Sequence, residues 1–544
     1  MKDTGPLVAT FLLLLFAVSA IPAGVSGQSA PGQAPMNAAV PATFFGLSVA
    51  YLTVSGSTFP VGVPVGTLGK TQGTEWNDVE PANGTYDWAP LDGTIASARA
   101  AGIARFVYTF WSTPEWASSA PAQGCILTAI ENVTGCAAPP AHINDWDSFV
   151  KAVVARYAGR IQYFELWNEA NLNETFSGSV GEMVTMAQHA YADIKAIDPG
   201  AVVIAPSASR VGVLQYSPGC DVSECWLAEY FKAGGGAFAD AVAYHPYACL
   251  SNDSACAKLS IACPQRDIQA CAGSALTTAI ADTRAIMADY GLSRLPLIAT
   301  EGGFPSDIIG PGLLGSADEQ TAYVSRWYVV QASQNVSLAV WFTEFRPENG
   351  LAGFGTSDAL AEINQGYDQT YRWLVGSTME GPCALADGVW TCPMVLASGS
   401  LAEIAFADSG QTPVQYTPPA GFSEYQELNG SVYQAGASMS VGMMPVLLSS
   451  SVSTTSSSAT ASPSTTPPSS SATTTSSSSA STTQATSSAP GSTSTTAASS
   501  ASRSQRSQSA LSGASLVPAI AALCAAGALV LKGMRRRAMA GMRR

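Results

Sequence analysis

Between residues 43 and 375 short apolar runs alternate with longer stretches of helical periodicity, and this alternation is what most restricts the fold. Runs of this kind, rich in β-branched and aromatic side chains, suit strands buried on both faces, as in a parallel sheet covered by helices. Eight qualify: Phe44–Val49, Val65–Leu68, Ala104–Phe110, Ile161–Trp167, Val202–Ala205, Ala241–Tyr244, Leu297–Thr300 and Leu338–Phe342. Between them the 3.6-residue period predicts helices, clearest at Trp146–Arg160, Gly181–Ile197, Leu276–Tyr290, Asp318–Gln334 and Ala359–Val375. Eight βα repeats over ~330 residues predict an α/β fold, a (β/α)8 TIM barrel with long loops. The alternative is a doubly wound sheet, which would need a Gly-rich phosphate turn after its first strand; none follows Val49.

The flanking segments follow other rules. Residues 1–27 read as a signal peptide, with Lys2, the apolar run from Phe11 and small residues from Ser19 to Gly27. The barrel is assigned to 28–375. Residues 376–448 alternate apolar and polar positions between Gly, Pro and Asn turns, which predicts a small C-terminal antiparallel β-domain. From 449 to 509 Ser and Thr dominate, filling 35 of the 50 positions between 451 and 500. Such a tract cannot bury enough apolar area to offset its chain entropy, so a disordered, extended stalk is expected. Residues 510–531 are apolar enough to span a membrane, and the basic tail 532–544 follows as a stop-transfer signal. A glycosylphosphatidylinositol signal is the alternative anchor. Such tails end apolar, so the transmembrane helix of a single-pass type I protein at the cell surface is the preferred reading.

Charge narrows the partners. Six basic groups lie in the last 13 residues, and without them the net charge of −14 becomes −20. So acidic a body repels nucleic acid and, more weakly, sulfated or uronic polymers, leaving neutral or cationic substrates. Ten cysteines precede the apolar C-terminal run, an even number suited to five disulfides in an exported chain. Spacing suggests Cys125–Cys136, Cys220–Cys225 and Cys383–Cys392, and leaves three pairings open among Cys249, Cys256, Cys263 and Cys271. With no CxxC spacing and three histidines, neither a metal nor a cofactor is expected. Sequons at Asn83, Asn132, Asn173, Asn252, Asn335 and Asn429 agree with export. The protein is expected to act as a monomer.

In a barrel of this kind the chemistry sits at the C-terminal ends of the strands. Two carboxylates occupy such positions: Glu169 closes Ile161-Gln-Tyr-Phe-Glu-Leu-Trp-Asn-Glu, and Glu301 closes Pro296-Leu-Ile-Ala-Thr-Glu. Strands four and seven face each other across an eight-stranded ring. Opposed carboxylates suit glycosidic cleavage, where one protonates the leaving oxygen and the other attacks the anomeric carbon or activates water.

At these residues the chain resembles the retaining glycoside hydrolases of clan A, family 39 in particular, with families 5 and 30 as relatives. The resemblance rests on Trp76-Asn-Asp-Val-Glu-Pro, Tyr108-Thr-Phe-Trp-Ser-Thr-Pro-Glu-Trp, Trp167-Asn168-Glu169, Tyr244-His-Pro-Tyr247 and Ala299-Thr-Glu301-Gly-Gly. It implies Glu169 as general acid/base, Glu301 as nucleophile, Asn168 as ligand of the sugar 2-hydroxyl, and Tyr247 or His245 as hydrogen-bond donor beside Glu301. One departure stands out. The family often carries Arg after strand two, where this chain has Gly69-Lys70-Thr71, and Lys lacks the bidentate fork.

Flat rings stack on sugar C–H faces, making Trp76, Trp111, Trp116 and Trp341, near strand ends, candidate platforms, and the resemblance puts Trp341 at the end of strand eight foremost. Glu165 reads as a barrel-interior acid, and His142 and His189 as structural. The expected activity is double-displacement hydrolysis of extracellular or cell-wall glycans. The alternatives are transglycosylation through the same intermediate, or carbohydrate binding without catalysis.

Overall fold

The computed structural model describes residues 38–49, 63–128, 132–209, 226–247, 271–303, 316–342, 361–408 and 412–450. The signal, anchor and tail segments and the stalk from residue 451 lie outside these residues, as do Cys220, Cys225, Cys249, Cys256 and Cys263; Ser449, assigned to the stalk, instead closes the last strand of the β-domain. No helix among the described residues is long and apolar enough to cross a membrane.

Eight parallel strands form the expected barrel. They are β1 (Phe45–Val49), β2 (Thr67–Thr71), β3 (Arg105–Thr109), β4 (Tyr163–Glu165), β5 (Val202–Ile204), β6 (Val242–Tyr244), β7 (Leu297–Ala299) and β8 (Leu338–Trp341). They pair in the order β5-β4-β3-β2-β1-β8-β7-β6, and a parallel bridge between Ile204 and Ala241 joins the two ends. Around them lie α1 (Trp76–Val79), α2 (Ala89–Ala100), α3 (Ile143–Tyr157), α4 (Val180–Ile197), α5 (Trp226–Lys232), α6 (Leu276–Asp289), α7 (Ala317–Ser333) and α8 (Ala361–Leu374). Capping boxes start two of these: Ser179 with Glu182 opens α4, and Ser316 with Glu319 opens α7.

Side-chain alternation splits the packing into two shells. Val107, Val202, Ile204, Ala241, Ala243, Ile298, Leu338 and Val340 fill the barrel interior. Their neighbours of opposite parity face the helices in one continuous core, where the long aromatic side chains gather.

Two strands depart from expectation in ways that matter for the site. The second runs Thr67–Thr71, not Val65–Leu68, so Lys70 is inside the strand. The pairing shifts there, with Leu47 opposite Leu68 but Val49 opposite Thr71, a β-bulge around Gly69 and Lys70. A bulge re-aims side chains, and here it lets Lys70 reach the barrel mouth directly after a glycine. That glycine is required, because a Cβ on Gly69 would come within 2.4 Å of Val340 Cγ1. The fourth strand ends at Glu165, earlier than expected, since the chain then bends toward Glu169.

The C-terminal region is the antiparallel unit expected. β9 (Thr378–Met379), β10 (Ala384–Ala386), β11 (Val389–Val395), β12 (Leu401–Ala407), β14 (Glu424–Gln426), β15 (Val432–Gln434) and β17 (Val446–Ser449) form one sheet. β13 (Val414–Tyr416) and β16 (Met439–Val441) form a two-stranded ribbon. Arg326 of α7, fully buried, links this region to the barrel. Its Nε donates to Met443 O at 2.8 Å and its guanidinium lies 4.7 Å from the Phe406 ring centre. Cys125–Cys136 and Cys383–Cys392 are disulfide-bonded, as their spacing suggested.

Candidate active site

Beyond Ala299 the backbone bends and brings Glu301 to the barrel mouth, buried at 7% exposure. Lys70 Nζ donates to Glu301 Oε2 at 2.6 Å and to Asn168 Oδ1 at 2.8 Å. Tyr247 donates its hydroxyl to Glu301 Oε1 at 2.7 Å. Burial alone would push the Glu301 carboxyl upward. The charges of Lys70 and His245, with the Lys70 and Tyr247 hydrogen bonds, outweigh it and hold the pKa at about 2. The Lys70 ammonium is disfavoured by burial, yet the Glu301 charge raises it above its ordinary value. At neutral pH this is a buried ion pair with an ionised carboxylate.

Glu169 is built differently. Its backbone is left-handed, φ 44°, which costs a non-glycine residue about 1–3 kcal/mol unless its surroundings impose it. They do. Glu169 N donates to Ser207 Oγ at 3.0 Å, Thr175 Oγ1 donates to Glu169 O, and Trp167 Nε1 donates to Thr175 O at 3.0 Å. The carboxylate faces His245, whose Nδ1 lies 2.9 Å from Glu169 Oε1 and 4.0 Å from Glu301 Oε2. Behind the imidazole, Nε2 is 3.2 Å from Thr300 Oγ1, and that hydroxyl donates to Glu165 Oε1 at 2.9 Å. Glu165 also accepts from Thr109 Oγ1 at 2.7 Å and is buried, as a barrel-interior acid should be. Donor atoms of Glu169, His245 and Glu301 all lie within 4.8 Å of one another. Lys70 Nζ, 2.6 Å from Glu301 Oε2, already supplies a positive charge to this cluster.

The structure therefore unites Glu169, Glu301, Asn168, His245 and Tyr247 in one cluster. Between the two proposed donors to Glu301, Tyr247 makes the bond, while His245 serves Glu169. Trp111 also belongs here, with its ring centre 5.6 Å from Lys70 Nζ.

Two tryptophans do not belong. Trp76 is fully buried, stacked on Phe149 at 5.0 Å between ring centres, with Nε1 donating to Glu80. Trp341 is fully buried too and packs on Trp327 and Tyr328 of α7. Period two explains the second correction: Leu338 and Val340 point inward, so Trp341 points out to the helices. The next inward position is Phe342, whose ring centre is 5.5 Å from Lys70 Nζ. Trp116 is half-buried, edge-on to Trp76, and donates to Glu80 O. His189 contacts Asp147 on the barrel's outside, and His142 precedes α3, both away from the mouth.

Sequence reasoning missed Ser207, Thr300 and Phe342 and gave Lys70 no role. Thr300 and Phe342 were within reach of the parity rule, but Ser207 carries no local signal.

Comparison with known proteins gives fold relatives only. No family model matches the chain, and no curated protein does. Among solved structures, a family 39 glycoside hydrolase from Bacteroides cellulosilyticus superimposes with a TM-score of 0.53 at 15% identity, covering 75% of this chain and 81% of its own. The chain shares the fold of that glycoside hydrolase. A monomeric β-xylosidase from Caulobacter crescentus matches with a TM-score of 0.50 at 15% identity, over 76% of this chain and 97% of that one.

Proposed function

We propose that this protein is a retaining glycoside hydrolase, with Glu301 as nucleophile and Glu169 as general acid/base. One observation carries the reading: two carboxylates, each with an oxygen within 4.8 Å of one on the other, meet different partners, Glu301 against Lys70 and Tyr247 and Glu169 against His245. Retaining pairs stand ~5–5.5 Å apart, whereas inverting pairs need ~6.5–9.5 Å to admit a water between carboxylate and sugar. Glu301, ionised and clamped by Lys70 and Tyr247, attacks the anomeric carbon as Glu169 gives a proton to the departing oxygen. A glycosyl ester on Glu301 results. Glu169, now a base, takes a proton from water, which attacks the same carbon and releases the sugar with its configuration kept. Asn168, fixed by Lys70, would bind the hydroxyl beside the anomeric carbon, and Trp111 with Phe342 offers apolar walls.

The substrate class is extracellular or cell-wall glycan. The signal segment, stalk and apolar C-terminal run support placement at the cell surface on a transmembrane anchor, and Asn83, Asn132, Asn173 and Asn429 are exposed sequons. The acidic body favours uncharged polymers. A screen of aryl β-glycosides and wall polysaccharides tests this, with product anomers followed by proton NMR. Retention of configuration is expected; inversion would overturn the double-displacement assignment.

A further inference from the structure

His245 is placed so that only one of its nitrogens is free to exchange a proton. The Thr300 hydroxyl has a single proton, and its geometry directs that proton to Glu165 Oε1 at 2.9 Å. Its lone pairs then face His245 Nε2 at 3.2 Å, so Nε2 is the donor of that pair. Glu165 is held in turn by Thr109 at 2.7 Å. On the other side, Nδ1 meets Glu169 Oε1 at 2.9 Å. Nε2 also lies 3.9 Å from Glu165 Oε1, so the carboxylate sits behind the hydroxyl it anchors.

We propose that Thr300, anchored by Glu165, is a positioning residue that keeps a proton on His245 Nε2 throughout turnover, so that His245 trades protons with Glu169 only through Nδ1. The proposal rests on the assignment of Glu169 as acid/base. With the site loaded, one proton lies between Nδ1 and Oε1. When Glu169 protonates the glycosidic oxygen, the C–O bond breaks, the leaving group takes that proton, and neutral imidazole faces bare carboxylate. Two lone pairs then oppose each other across the Nδ1···Oε1 contact. Taking up a proton relieves this, which strengthens Glu169 as base toward the incoming water. Were Nε2 free of Thr300, the imidazole would carry its proton at Nδ1, satisfy the carboxylate and blunt that base.

The charged groups facing His245 agree with this. Glu165 and Glu169 approach from the β4 segment, and Glu301 with its Lys70 partner from β7 and β2, while Tyr247 follows in His245's own loop. Burial opposes charge on the imidazole, but the Glu301 charge and the bond to Glu169 raise its affinity for a proton. The loaded state is therefore favoured in the free site.

The chain has three histidines, so nitrogen-15 NMR of the imidazoles reads His245 directly in the full-length protein. As pH rises, Nδ1 is expected to lose its proton while Nε2 keeps it. Thr300→Val keeps the shape and removes the hydroxyl. It should move the neutral form to Nδ1–H and lower steady-state kcat on activated aryl glycosides about tenfold through slower hydrolysis of the ester, with the burst of aryl alcohol retained. Thr300→Ser should restore both readings. Loss of the proton from Nε2 in the parent protein, or an unchanged tautomer in Thr300→Val, would overturn the proposal. If Thr300→Val fails to fold, the parent titration and Thr300→Ser still decide it. A parent protein with the expected tautomer but no glycosidase activity would instead fault the reading of the enzyme, not the placement of the proton.

Discussion

The ends of β4 and β7 carry the same side chain in contrasting surroundings, and the proposed division of roles rests on that contrast. Glu301 meets a permanent cation and a phenol, both fixed, and is kept ionised. Glu169 meets a histidine that can gain or lose charge, on a left-handed backbone tied down by Ser207 and Thr175. A nucleophile benefits from an unchanging charge; an acid that becomes a base benefits from a partner that changes with it. On the proposed reading, identical residues acquire different work from their neighbours.

The sharpest way to break this asymmetry is at Glu301. Glu301→Gln should lower turnover at least about 10⁴-fold, the scale reached when a covalent nucleophile is removed, and should also lower the thermal midpoint, since the buried Lys70 ammonium loses its anion; a parental rate on an aryl glycoside would end the assignment. Glu169→Gln is expected to cost about 10²–10⁴-fold on poor leaving groups, the usual range for acid/base help. With a dinitrophenyl leaving group the first step needs no acid, so the variant should accumulate glycosyl-enzyme that added azide discharges. Azide without effect would contradict the role.

Lys70→Met tests the cation. Burial would then act on Glu301 with less compensation, so the acid limb of kcat/KM should move to higher pH. Removing one partner of a buried pair costs about 3–5 kcal/mol, and the sign of its pH dependence follows from Glu301. Its folded pKa is about 2 against an ordinary 4.5, so its stabilisation is present above pH 4.5 and lost as pH falls toward 2. Urea titrations of parent and variant should therefore converge on acidification. The smallest effect separates two adjacent rings: Phe342→Ala should raise KM a few-fold, and Trp341→Phe should lower the thermal midpoint by a few degrees with KM unchanged.

Much of this architecture was legible in the chain. Eight apolar runs predicted eight strands, because strands buried on both faces must be apolar whatever their neighbours. Glu169, Asn168, Glu301 and Tyr247 stood in motifs just past those runs, and the barrel brings them together. Lys70 was harder to see. Thr67-Leu-Gly-Lys-Thr is not an apolar run, so the second strand was expected too early, and a bulge leaves no mark on hydropathy. Trp341 misled because the family resemblance, not side-chain parity, singled it out: a residue between inward-facing Val340 and Phe342 faces the helices. Ser207 is set by tertiary proximity alone, 38 residues from the amide it accepts.

Trapping the intermediate tests the central claim most directly. A slow-turnover 2-fluoro glycoside of an accepted sugar, followed by proteolysis and mass spectrometry of the labelled peptide, locates the ester. The account predicts a single adduct on Glu301; an adduct on Glu169 or Glu165 would contradict it.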